Sequence, residues 1–191
     1  EDPIGPVIKH GTLSVGFIGL AETLTALLGV NHGEDLGAQQ LGLEIVSHMR
    51  QRIDEMAEEY DLNYTLLATP AEGLSGRFVG IDRKVYGVIP GVTDKEYYTN
   101  SFHIPVEQEI SCYDKINLEG PYHRFTNAGH ISYVEFDAPP VDNMEAFEKI
   151  IRHMAAADLG YAGINFPIDE CLVCGNRGIF EAECPSCQSA E

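Results

Sequence analysis

Basic side chains are scarce in this chain: 12 lysines and arginines stand against 30 aspartates and glutamates, for a net charge of −18. A protein that grips duplex nucleic acid across a broad surface needs the opposite balance, so no nucleic-acid partner is expected. A small phosphate ligand is still allowed, because a few backbone amides and one arginine can hold it locally. Long apolar runs are also missing. The longest, around Phe17 to Leu28, is too short to cross a bilayer, and no charged-then-apolar leader is visible, so a cytoplasmic protein without a membrane partner is expected. No internal repeat or low-complexity tract stands out. The 191 residues, 44% hydrophobic and 22% charged, fit one globular body with a real core plus a small appendage. The opening Glu-Asp-Pro-Ile-Gly-Pro reads as the interior of a longer polypeptide.

Four of the five cysteines, Cys171, Cys174, Cys184 and Cys187, form a CxxC…CxxC array near the end of the sequence. Each CxxC turn can aim two thiolates at one ion, and the segment from Gly175 to Glu183 is long enough for a hairpin that closes a tetrahedral four-sulfur shell. Structural zinc is the expected occupant, since a full set of protein ligands leaves no open position for catalysis. A [4Fe-4S] cluster also accepts four thiolates, and two disulfides would demand an oxidising compartment. The fifth, Cys112, reads as a small apolar residue in a strand.

Apolar periodicity predicts a helix from Phe17 to Leu28 stopped by Gly29, and a long amphipathic helix from Glu34 to Tyr60. Asn63 to Ala68 reads as a strand halted by Thr69-Pro70. A short helix starting at Ala71 is expected before the glycine- and proline-rich stretch from Gly80 to Thr93. Further strands are expected at Ile104–Ile110, Ile131–Phe136 and Tyr161–Phe166, with a helix over Asn143–Leu159. This alternation predicts an α/β layer or barrel with active residues on loops at strand ends.

The turn from Thr69 to Arg77 combines a strand end, glycines, hydroxyls and an arginine where a helix begins. Exposed amides there favour an anion, and Thr69, Ser75 and Arg77 can add hydrogen bonds; the plain alternative is a capped turn with Glu72 as a solvated first-turn acid. The cluster Tyr97-Tyr98-Thr99-Asn100-Ser101-Phe102-His103 is rich for a linker, and Asn100 and His103 suit a sugar or base. His123 and His130 lack partners at ligand spacing and read as structural.

Several long motifs follow one another: Gly11-Thr12-Leu13-Ser14-Val15-Gly16-Phe17-Ile18-Gly19-Leu20-Ala21-Glu22, Ala68-Thr69-Pro70-Ala71-Glu72-Gly73-Leu74-Ser75-Gly76-Arg77-Phe78, Gly87-Val88-Ile89-Pro90-Gly91-Val92-Thr93-Asp94, the Tyr97 to Val106 cluster, Gly129-His130-Ile131-Ser132-Tyr133-Val134-Glu135, and the cysteine pairs. In this order they resemble the anaerobic (class III) ribonucleoside-triphosphate reductases. The resemblance implies part of a ten-stranded α/β barrel of the glycyl radical enzyme type over 1–166 and a four-cysteine zinc ribbon over 167–191. It implies reduction of ribonucleoside triphosphates to 2′-deoxyribonucleoside triphosphates by glycyl and thiyl radical chemistry, with formate as reductant and a radical-SAM iron-sulfur activating enzyme as partner. Glu72 is then a catalytic acid near the ribose, and Thr69, Ala71, Gly73, Ser75, Arg77, Asn100 and His103 bind substrate. The family's Arg-x-x-Gly-Tyr radical segment, its finger-loop cysteine and its nucleotide-binding regulatory cone have no counterpart in these residues, so a fragment inactive alone is expected, homodimeric when intact. The alternatives are a non-catalytic zinc-ribbon binding or scaffold module and a pyruvate formate-lyase-like enzyme, the latter not expected to carry four thiolates.

Overall fold

The computed structural model describes residues 4–180 and 183–190. A six-residue helix, α1 (Gly5–His10), leads into β1 (Thr12–Phe17), which pairs in parallel with β2 (Asn63–Ala68) from Thr12 opposite Asn63 to Phe17 opposite Ala68. The crossover between them holds α2 (Leu20–Leu28) and α3 (Leu36–Tyr60). The helix predicted from Phe17 therefore starts three residues later. Gly19, at φ 74°, turns the chain sharply out of β1, and the apolar run divides into strand and helix at that point. Gly29 closes α2 in the left-handed conformation, as expected.

Asp35 caps α3 by accepting from the Ala38 amide at 2.9 Å, and Val46 and Ile53 bury one face of the helix. They meet Leu20, Leu24, Leu66, Ala68, Phe102 and Tyr122 in the main core. After β2 comes α4 (Glu72–Tyr86), longer than predicted. Gly80 weakens a helix without breaking it, and Gly87, at φ 79°, ends it instead.

Two further expectations are corrected. Ile104–Ile110 forms turns rather than a strand: Pro105 has no amide to give a ladder, and the Ile104 amide is donated to the Glu119 carboxylate at 3.0 Å. Cys112 lies in the first turn of α5 (Cys112–His123), not in a strand, and packs partly buried against the second core. That core, Ile116, Val134, Ile150 and Met154, lies under a second parallel pair, β3 (Ser132–Glu135) and β4 (Ala162–Asn165), connected through α6 (Met144–Ala156). The Ala68 amide donates to the Ala128 carbonyl at 2.9 Å and ties the two halves together. A small antiparallel pair, β5 (Asp169–Glu170) and β6 (Arg177–Gly178), begins the cysteine-bearing tail. Among the described residues no helix is long and apolar enough to cross a membrane.

Candidate functional site

The turn from β2 into α4 leaves backbone donors uncommitted to side chains. Asp35, Ser111 and Asn143 each cap their helix with a side-chain oxygen, whereas α4 begins at Ala71, which has none. The Ala71 amide is itself held by Asn100 Oδ1 at 3.1 Å, which joins the two clusters singled out in the sequence. Thr69 Oγ1 donates to the Leu67 carbonyl at 3.3 Å and fills the space a Cβ on Gly16 would need, 2.1 Å away. Glu72 is exposed at the first helical position, Gly73 has open space where its Cβ would be, and Arg77 is exposed. Ser75 is buried; its hydroxyl donates to the Glu72 carbonyl at 3.3 Å, and its carbonyl accepts from the Tyr98 amide at 3.4 Å.

Ser75, Asn100 and His103 come together on a cavity of about 170 Å³, completed by Lys115, Tyr133 and Glu135. Thr69, Ala71, Glu72, Gly73 and Arg77 are not among its lining residues. The His103 ring is stacked between Phe102 and Tyr133, with centroids 5.5 and 6.0 Å away. Behind it lies Glu119, fully buried. Burial alone would push its carboxyl up, but His103 and the Lys115 ammonium outweigh this and hold it below the usual carboxylate range. Lys115, Glu119, Tyr133 and Glu135 were not read as site residues; α5 and β3 deliver them, and although Tyr133 and Glu135 fall in the motif from Gly129 to Glu135, nothing local gave them a role.

A larger cavity, about 550 Å³, opens at the end of β1 between α2 and α4, with Gly16, Gly19, Glu22, Phe78, Asp82 and Tyr98 on its walls. Glu22 is buried and accepts from Lys95 Nζ at 3.1 Å and from the Thr99 amide and hydroxyl at 3.2 and 2.7 Å. Tyr98 donates to Asp82 at 2.8 Å; burial, with that hydrogen bond, pushes its phenol up to about 12. An acid inside the apolar run Leu20–Leu28 was the signal for Glu22. His123 and His130 face each other at 5.2 Å. The Gly160 amide donates to His123 Nδ1 at 3.0 Å, and Nε2 meets Ser132 Oγ at 2.9 Å. Burial, with the neighbouring His130, brings the His123 imidazole down to about 4, so it is neutral.

The four cysteines converge. The two knuckles repeat one hydrogen-bond pattern: Gly175 N to Cys171 O and Gln188 N to Cys184 O, both 2.8 Å, and Cys171 N to Asn176 O and Cys184 N to Ser189 O, both 2.9 Å. Gly175 and Gln188 take positive φ at matching places. All four Sγ atoms lie within 4.8 Å of one another, with Cys171 and Cys187 at 3.5 Å and Cys174 and Cys184 at 3.7 Å. A tetrahedral ion with metal–sulfur bonds of about 2.3 Å requires sulfur–sulfur edges of roughly 3.8 Å, so the cluster can hold a metal ion. Among the described residues it is the one cluster of potential ligands with this geometry.

The family model described as "Anaerobic ribonucleoside-triphosphate reductase" matches residues 1–191. The chain is 41% identical over 198 residues to the anaerobic ribonucleoside-triphosphate reductase of Escherichia coli (strain K12), covering 98% of this chain and 27% of the relative. It is 38% identical over 178 residues to the enzyme of the same name from Enterobacteria phage T4, covering 92% and 27%. The chain thus spans about a quarter of the length of these relatives. Among solved structures, an anaerobic ribonucleotide reductase superposes with a TM-score of 0.81 at 16% identity, covering 98% of this chain and 30% of the other. The Thermotoga maritima enzyme with dATP bound in the specificity site gives 0.78 at 18% identity, covering 98% and 32%. At these identities the likeness establishes the fold, which is that of the matching stretch of the barrel enzymes.

Proposed function

Because the chain belongs to the anaerobic ribonucleoside-triphosphate reductase family, we propose that it forms part of a catalytic polypeptide converting ribonucleoside triphosphates to 2′-deoxyribonucleoside triphosphates. The observation that carries this reading to particular residues is the start of α4, where no side chain caps the first turn and Asn100 holds the turn in place. Amides at a helix N-terminus favour anions through both hydrogen bonding and the helix dipole. Thr69, Ala71, Gly73 and Arg77 surround the substrate phosphates in this reading, with Gly73 allowing close approach. Ser75, Asn100 and His103, on the adjoining cavity, serve the sugar or base. Glu72 exchanges a proton with a ribose hydroxyl as the substrate reacts. Radical chemistry supplies the hydrogen abstraction when the intact enzyme is activated, and its glycine and thiyl cysteine are assigned to the rest of the polypeptide.

The division is a catalytic body over 1–166 and a metal ribbon over 167–191. The ribbon holds structural zinc, supported by a thiolate set whose spacing fits a tetrahedral ion. Formate as reductant, a radical-SAM iron-sulfur activating enzyme and a homodimeric intact enzyme complete the proposal. Titration of the intact polypeptide with ribonucleoside triphosphates and with the matching unphosphorylated ribonucleosides tests it. Tighter binding of the triphosphates, with deoxyribonucleotide formed after activation, is expected; equal indifference to both would favour a scaffold module.

A further inference from the structure

Glu119 is a charged group buried where an apolar side chain would pack at less cost. None of its side chain is exposed. Oε1 accepts from the Ile104 amide at 3.0 Å and lies 3.5 Å from His103 Nδ1 and 3.7 Å from Lys115 Nζ, while Oε2 has no hydrogen-bond partner among the described residues. If the residue served only to satisfy the Ile104 amide, the neutral carbonyl of a glutamine would do as well. The carboxylate instead lies beside both the His103 ring and the Lys115 ammonium, and both side chains line the cavity with Ser75 and Asn100.

The His103 ring has little freedom. Phe102 stacks on it at an interplanar angle of 23° and Tyr133 at 27°, which fixes the plane of the ring. Within that plane, the carboxylate beside Nδ1 selects the rotation. Nε2, on the far edge, has no protein hydrogen bond among the described residues. A neutral imidazole that donates through one nitrogen presents the other as an acceptor, and the partner of the first decides the tautomer.

We propose that Glu119 is a positioning residue: it holds His103 with the proton on Nδ1, so that Nε2 accepts a hydrogen bond from an O–H or N–H donor on the sugar or base of a nucleotide in the cavity. This rests on the placement of His103 in the substrate site under the proposed function. Glu119 itself touches no ligand. Glu119→Met isolates this role, because it keeps the length of the side chain but leaves no acceptor beside Nδ1, whereas in Glu119→Gln the amide oxygen that takes the Ile104 hydrogen bond would still accept from Nδ1.

The test uses the intact reductase with ¹⁵N-labelled histidine. His103, assigned by the signal lost in His103→Gln, is expected as the Nδ1–H form in the parent and as the Nε2–H form in Glu119→Met. In steady-state assays Glu119→Met is expected to lower kcat/KM about tenfold. Glu119→Asp should restore part of the loss, and the double variant should be no worse than His103→Gln alone. An Nε2–H tautomer in the parent, or losses that multiply in the double variant, would overturn the proposal. If Glu119→Met fails to fold, the parental tautomer and Glu119→Asp kinetics still decide it. If the parent forms no deoxyribonucleotide from any ribonucleoside triphosphate, the functional reading fails, and the tautomer alone then judges the role of Glu119.

Discussion

Single residues in this chain are placed by burial and by the partner each finds. The His123 imidazole is neutral because burial and His130 bring it from 6.5 to about 4. Between those values the unfolded chain binds a proton that the folded chain refuses, so the contribution of His123 to stability is complete above pH 6.5 and is lost as pH falls toward 4. The melting temperature should therefore drop between pH 7 and pH 5, and drop less in His123→Gln; equal slopes would contradict this. His32, also lowered by burial, keeps the residual slope from vanishing. The Glu119 carboxyl is lowered from 4.5, so its contribution is lost only at more acid pH, and the two windows separate. Gly73 offers a different separation. Its Cβ position is open, so Gly73→Ala should raise stability by about 0.5–1 kcal/mol through helix propensity. If phosphates approach that position, the same change should raise the apparent KM for ribonucleoside triphosphates by about tenfold per 1.4 kcal/mol of lost interaction. Denaturant titration and steady-state kinetics on the variant in the intact enzyme measure the two effects independently.

At the scale of elements, α3 rests on α5 and α2 through a glycine. A Cβ on Gly42 would lie 2.4 Å from the Tyr122 hydroxyl and 3.2 Å from Leu24 Cδ1, and Tyr122 is pinned by its stack on Phe102 at 5.3 Å and its bond to Gln39 at 2.9 Å. Gly42→Ala should therefore destabilise the fold by about 1–3 kcal/mol despite its better helix propensity, as read from the denaturation midpoint. The elements legible in the sequence were those whose local pattern agrees with their environment. β2 was readable because Tyr64, Thr65 and Leu66 favour a strand and Thr69-Pro70 stops it; α3 was readable from its apolar stripe. β1 was hidden because its apolar run merges with that of α2, and its partner β2 lies about fifty residues away. α5 runs through Gly120-Pro121, with Ile116 in the second core and Tyr122 in the main core, and was not read from the sequence. The site divides in the same way. Its turn from Thr69 to Ser75 was legible from local chemistry, and so was the Asn100–His103 cluster. Lys115, Tyr133 and Glu135 reach the cavity only through tertiary packing, and Glu119 lies behind His103 without lining it.

For the molecule as a whole, a chain spanning about a quarter of its relatives carries the α4 turn, the cavity lined by Ser75, Asn100 and His103, and the four-thiolate cluster together. The four-cysteine cluster closes only local chain. Elemental analysis of freshly reduced protein should find close to one zinc per chain, and Cys184→Ser should lose it and make the tail protease-sensitive while the α/β body keeps its melting transition. Disulfides in stoichiometric amount, without metal, would contradict that assignment. Under the proposed function, substrate chemistry belongs to the α/β body and turns on Glu72. The most direct measurement is the rate of deoxyribonucleotide formation by the activated intact reductase carrying Glu72→Gln, which keeps size and hydrogen-bonding capacity but removes the ionisable group. Turnover about a hundredfold or more below the parent, with triphosphate KM and radical yield little changed, is predicted; reduction of ribonucleotides at the parental rate would contradict the account.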